Sequence, residues 1–298
     1  MERVDAIIAG VNKAGTTSLF VSLSEHPDVV PSAVKESRYF LPARYGHPLE
    51  PVSAWDALFA AADRPVRLEA TPSYFYGGSD VANAMQMTLT NPKIVLVLRE
   101  PVARAISFFE YQKIRLRLPQ DLGIEAYLAS ADALADADFA NPDNEKYMAV
   151  RGGRYADWLP EWWEVLGRDG VKIVWFDDLV ADGAAVLHDV ATWLGLEPDR
   201  LSDAGLRSEN RTTPFRNARL QRLALAFNDG SERILRRVPG VKRRLRSWYF
   251  ALNGRSKEPG AVPDSVWAGL AERFVEPNQR LGALLDDAGL ARPAWLGS

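Results

Sequence analysis

The 298-residue chain sets 36 Lys and Arg against 39 Asp and Glu, and the resulting charge of −3 argues against general nucleic-acid binding, which relies on excess positive charge. It has no cysteine, which excludes disulfides and thiolate metal sites, and its three histidines, His26, His47 and His188, are too scattered for a multi-histidine metal centre. With 47% apolar residues it can build the core of one large α/β domain. The opening "MERVDAIIAG" carries Glu2, Arg3 and Asp5, and its apolar run is too short for a secretory leader. No segment reads as long enough to span a bilayer, so the expectation is a soluble, cytoplasmic protein.

"VDAIIAG", Val4 to Gly10, is a β-branched and apolar run that stops at glycine, and it predicts a buried strand. A helix follows in "TTSLFVSLSEHP", ending before Pro27. Strand, glycine loop and helix are the first half of a βαβ unit. A second strand is expected near Val66 to Ala70, stopped by Pro72, and a third, central one at Lys93 to Leu98. A helix starts at Pro101, where proline suits the first turn. The stretch from Leu116 to Arg151 reads as one short helix plus a surface excursion over the substrate side. A fourth strand, Val171 to Phe176, lies between the helical segments "YADWLPEWWEVLG" and "DGAAVLHDVATWLGL". The remainder, from about 215 to 298, looks helical. The alternating order predicts an α/β fold: a P-loop-like central parallel sheet with helices on both faces, in one domain over 1–298.

Three stretches carry candidate chemistry. "GVNKAGTTS" has the two glycines of a Walker A loop, Gly10 and Gly15, at the right spacing. Thr16, however, stands where the Walker lysine belongs, and the lysine is Lys13, inside the loop. A glycine loop between strand and helix aims backbone N–H groups at an anion, and Thr16, Thr17 and Ser18 add hydroxyls. A plain tight turn with an N-cap gives the same pattern. "LREPVARAISFFEY" sets Arg99 at the end of the central strand and Ser107 in the next helix, beyond the strand ends where open α/β sheets bind ligands. An arginine capping the sheet reads identically. "SAVKESRYF" holds Glu36 between Lys35 and Arg38, as a general base or as part of a solvated ion-pair loop.

Taken together, the three stretches resemble the sulfotransferases that use 3′-phosphoadenosine 5′-phosphosulfate (PAPS). "KAGTTSL" resembles their 5′-phosphosulfate loop, and "LREPVARAISFFEY" their 3′-phosphate motif. "KESRYF" resembles the "K-E-x-x-[FY]-F" element of the heparan-sulfate and related bacterial carbohydrate branch, and "LEATPSYFY" its "E-K-[ST]-P-x-Y-F" segment. The likeness runs on through "GGRYADWLPEWWEVLG" and "LAERFVEPNQRLGALL". It implies sulfuryl transfer from PAPS to an acceptor hydroxyl of a sugar, glycolipid or secondary metabolite, without a metal. Glu36 would be the base, and Lys13 would stabilise the departing phosphate. Lys13, Ala14, Gly15, Thr16, Thr17, Ser18, Arg99 and Ser107 would hold the nucleotide, and Lys35, Arg38 and Tyr74 the acceptor. Arg211 and Arg216 stand where the family's late nucleotide-closing loop should be.

Ala70 replaces the lysine of the family's "E-K-[ST]-P" segment, which speaks against a uronic-acid polymer as acceptor. The alternatives are a P-loop kinase or NTPase, against which Thr16 counts, and a non-catalytic nucleotide- or polysaccharide-binding protein. His26, in a His-Pro helix stop, reads as structural, and Trp158, Trp162 and Trp163 read as core. Arg233 to Arg246 holds seven basic residues and no acidic one, a solvated helical face in preference to a patch for an anionic acceptor or for a membrane surface carrying a lipid-linked acceptor.

Overall fold

In the computed structural model, residues 3–60, 64–201, 222 and 262–297 are described. Five parallel strands form one sheet in the order β2-β3-β1-β4-β5. They are β1 (Val4–Gly10), β2 (Val29–Pro31), β3 (Val66–Ala70), β4 (Pro92–Leu98) and β5 (Val171–Trp175). Every residue of β1 is buried, as a central parallel strand requires. From Ile94 to Leu98 the same holds for β4.

Two differences from expectation have plain causes. The edge strand β2 is only three residues long and ends in proline, so it leaves no run in the sequence, yet it pairs with β3 through Val29 and Val66. The fifth strand stops at Trp175, because Phe176 opens a helix, α7 (Phe176–Ala181).

The other helices are α1 (Thr16–Leu23), α2 (Val52–Asp56), α3 (Gly78–Thr88), α4 (Pro101–Ile114), α5 (Ile124–Asp132), α6 (Leu159–Leu166), α8 (Gly183–Trp193) and α9 (Asp264–Asp287). The Glu100 side chain caps α4, accepting from the N–H groups of Val102 and Ala103, with Pro101 in the first turn. The segment 116–151 contains α5 and short 3₁₀ turns and no strand, as expected. The expected helices between 215 and 261, and the basic run 233–246, lie outside the described residues; α9 accounts for the last of the helical C-terminal region.

From β1 the chain crosses to β2 and β3 on one side, then returns to β4 on the other. Right-handed crossovers in opposite directions put their helices on opposite faces. Accordingly α1 packs on β3 and α8, while α3 packs on α6. The loop from β1 to α1 therefore sits at the point where the winding reverses, where open α/β sheets carry ligands. Trp162 is fully buried and donates from its indole N–H to the Phe75 carbonyl, and His26 is buried with its Nε2 2.9 Å from the Glu197 carbonyl oxygen, so both are structural.

Candidate active site

The β1–α1 loop is shaped by two left-handed residues, Lys13 at φ 73° and Gly15 at φ 81°. Gly15 is the N-cap of α1 and has no side chain with which to close the first turn. A Cβ at Gly15 would come within 3.0 Å of Leu179 Cδ2 and 3.2 Å of Phe176 Cε2, both on α7. The turn is thus closed on one side by α7. Ala14, Thr16 and Ser18 are buried within it, and Thr17 is half-buried.

Arg99, one residue beyond β4, donates from Nη1 to the Lys13 carbonyl oxygen at 2.9 Å. Its guanidinium carbon lies 4.5 Å from the centroid of the Phe176 ring, and its own carbonyl accepts from the Tyr155 hydroxyl at 2.6 Å. The Lys13 ammonium sits 4.6 Å from the centroid of the Tyr111 ring on α4. Burial, with Arg99 nearby, lowers the Lys13 pKa to about 8, and the Glu36 carboxylate opposes that shift. Ser107 is half-buried on α4, four residues before Tyr111 and hence on the same helical face.

The Glu36 loop is held against the end of β3. Glu36 N–H donates to the Ala70 carbonyl at 2.9 Å, Ser37 N–H to Glu69 Oε1 at 3.0 Å, and Arg38 N–H to Thr71 Oγ1 at 3.3 Å. Glu36 and Arg38 both have left-handed backbones, at φ 61° and 60°. Each such residue costs about 1–3 kcal/mol and persists only where its surroundings enforce it. Glu36 Oε1 is 3.3 Å from Lys35 Nζ. Burial pushes the Glu36 carboxyl up, but Lys35, Arg38 and Arg115 outweigh it and hold the group below the ordinary glutamate value. Glu36 is therefore ionised at neutral pH and able to accept a proton.

Lys13, Arg99, Lys35 and Glu36 thus converge at the carboxyl ends of β1, β3 and β4. Arg38 is exposed at the rim. Tyr74 corrects the sequence reading. It was expected to touch the acceptor, but it has no exposed surface, its hydroxyl oxygen accepts from Phe40 N–H at 3.2 Å, and it lies 3.4 Å from Ser37 Oγ. Its ring packs edge-on against Phe40. Tyr74 therefore braces the Glu36 loop from below. Arg211 and Arg216 lie outside the described residues.

Sequence reasoning missed Glu69, Thr71, Tyr111 and Phe176. Glu69 did leave a signal: a carboxylate near the end of a buried strand, "VRLEA", has to be there for a partner. Tyr111 left one too, at four residues beyond Ser107. Among the described residues no three His, Asp or Glu side chains cluster so as to hold a metal, and no helix is long and apolar enough to cross a membrane.

The model of the sulfotransferase domain matches residues 3–223. The chain belongs to the sulfotransferase family. Heparan sulfate glucosamine 3-O-sulfotransferase 6 of Homo sapiens is 31% identical over 194 residues, covering 64% of this chain and 52% of that protein. The bifunctional heparan sulfate N-deacetylase/N-sulfotransferase 1 of Caenorhabditis elegans is 26% identical over 197 residues, 64% of this chain and 22% of that protein. This sulfotransferase-family chain thus spans about half, or less, of the length of these curated relatives. A crystal structure of a sulfotransferase from Alicyclobacillus acidocaldarius superposes with a TM-score of 0.59 at 24% identity, over 80% of this chain and 96% of that one, and shares the fold.

Proposed function

We propose that the protein transfers a sulfuryl group from PAPS to an acceptor hydroxyl, with Glu36 as general base and Lys13 at the leaving phosphate. One arrangement carries this reading: the Glu36 loop is pinned to the Ala70 carbonyl at the end of β3 at 2.9 Å, and β3 pairs there, Ala70 with Ile8, with β1, the strand that feeds the Lys13 loop. A base and a cation are thereby set about one reaction centre, one for each end of an in-line transfer. Bound PAPS supplies the activated sulfur. The acceptor oxygen bonds to that sulfur as the bond to the 5′-phosphate oxygen breaks. The acceptor proton goes to Glu36, and the charge gathering on the phosphate oxygen meets Lys13 and the loop N–H groups. Arg99 and Ser107 would take the 3′-phosphate.

A sugar hydroxyl is the acceptor that the relatives' names support, and Ala70 turns the choice away from a uronic-acid polymer and toward a smaller sugar, a glycolipid or a secondary metabolite. Thr16 in the Walker lysine position supports a reaction without a magnesium-bound triphosphate. The test is calorimetry with adenosine 3′,5′-bisphosphate and transfer of labelled sulfate from PAPS across an acceptor panel. Glu36→Gln is expected to lower turnover on the order of 100-fold or more with bisphosphate affinity unchanged. Binding of Mg-ATP in place of the bisphosphate overturns the reading.

A further inference from the structure

Glu69 takes no part in the chemistry above, yet it is one of the most constrained side chains near it. It is fully buried near the carboxyl end of β3. Its Oε1 accepts three hydrogen bonds: from Ser37 N–H at 3.0 Å, from Ser37 Oγ at 2.9 Å and from Thr71 Oγ1 at 2.7 Å. Its Oε2 is buried and has no hydrogen-bond partner among the described residues. A buried carboxylate with one bare oxygen is costly to keep. In an apolar strand end a leucine would pack at lower cost. What the carboxylate does instead is bind the residue that follows Glu36, across 32 positions of sequence.

The held loop contains two left-handed non-glycine residues on either side of Ser37. Ser37 is therefore the point at which the strain on both sides is opposed. Thr71 extends the grip, since its Oγ1 donates to Glu69 and accepts from Arg38 N–H. We propose that Glu69 is a positioning residue that, through Ser37 and Thr71, locks the Glu36 loop in its left-handed geometry and so aims the Glu36 carboxylate. This rests on the reading of Glu36 as the base. The hold needs an acceptor oxygen at Oε1, which a carboxylic acid or an amide also offers, so the lock does not depend on the charge of the group. Burial raises the pKa of Glu69 to about 7, while its hydrogen bonds to Thr71 and Ser37 and the Lys35 charge oppose the rise.

The test compares Glu69→Met, which keeps volume but removes the acceptor, with Glu69→Gln, which keeps the acceptor, and with Thr71→Val. Two readouts are taken on the full chain: amide hydrogen exchange of residues 36–40, and kcat beside bisphosphate affinity. Expected are faster exchange at Ser37 and Arg38 and a kcat lower by roughly 10- to 100-fold in Glu69→Met, with unchanged bisphosphate affinity. Glu69→Gln should stay within about threefold of wild-type kcat, a rescue that mere core filling does not predict. Thr71→Val should speed exchange at Arg38, and it serves if Glu69→Met does not fold. Unchanged exchange in both Glu69→Met and Thr71→Val overturns the lock. Wild-type kcat in Glu69→Met beside an inactive Glu36→Gln overturns its catalytic role. If Glu36→Gln turns over like wild type, the base assignment falls instead, and the exchange readout still decides whether Glu69 holds the loop.

Discussion

Arg99 donates from Nη1 to the Lys13 carbonyl at 2.9 Å, so the end of β4 and the turn of the β1–α1 loop form one unit. The same guanidinium rests on Phe176, whose ring edge backs Gly15. Arg99 thus shapes the loop whatever else it binds. Arg99→Ala should weaken bisphosphate binding by about 2–3 kcal/mol, a hydrogen bond to a charged group plus a loosened turn. Arg99→Lys should not restore it, because an ammonium cannot both stack on Phe176 and reach the carbonyl through a planar fork. Calorimetry on both variants checks this, and wild-type affinity in Arg99→Lys would sink it.

The Lys13 ammonium titrates at about 8, lowered by burial and by Arg99. Phosphate groups beside it favour the charged form, so its pKa rises in the complex. The complex therefore binds more protons than the free protein at pH 8–9. Binding should take up a proton there, and affinity should fall as pH rises through about 8. Calorimetry at pH 8.5 in two buffers of different ionisation enthalpy measures this directly. The uptake should vanish in Lys13→Met, and its persistence would assign the proton to another group.

The sheet was legible because its central strands hold short apolar runs, as Ala6–Gly10 and Ile94–Leu98 show. Lys13 and Arg99 were legible as candidates because each lies two residues before a glycine or proline, Gly15 and Pro101, and Glu36 because it is an acid set between Lys35 and Arg38. Glu69 and Tyr74 were not. Glu69 matters through Ser37 and Thr71, and Ser37 comes from a loop 32 positions away in sequence. Tyr74 stands two residues after Pro72 in an aromatic stretch and reads as an acceptor contact, but the ring of Phe40 packs edge-on against it, with Trp55 packed on Phe40 in turn. Burial of this kind arises from packing between distant segments, and no spacing rule reports it. The edge strand β2 stayed hidden for a different reason, since three residues give too little pattern.

Gly15 combines a left-handed backbone with close packing on α7. Gly15→Ala should cost about 1–2 kcal/mol for the backbone alone, and more as Leu179 and Phe176 give way. Because Phe176 also supports Arg99, the loss should appear in bisphosphate affinity as well as in Tm. A thermal scan with and without bisphosphate checks both. A variant with wild-type Tm and affinity would show that neither the turn nor its backing matters.

The Glu69 carboxyl titrates at about 7 in the folded chain against an ordinary 4.5, because burial disfavours its charge. Between these values the folded state holds a proton that the unfolded state has released. Stability from this group therefore falls as pH rises from about 4.5 to 7, and it stays low above. The window corresponds to about 3 kcal/mol at most. Lys35 is the charged neighbour that acts on it, and Ser37, Thr71 and Tyr74 are its other near groups. Glu69→Gln has no such titration. The stability of wild type relative to Glu69→Gln should therefore decline over this range and level off above about pH 7. Urea unfolding of both proteins at pH 5, 6, 7 and 8 tests the sign. A constant difference across the series would mean that Glu69 is ionised throughout, and that burial is not what governs it.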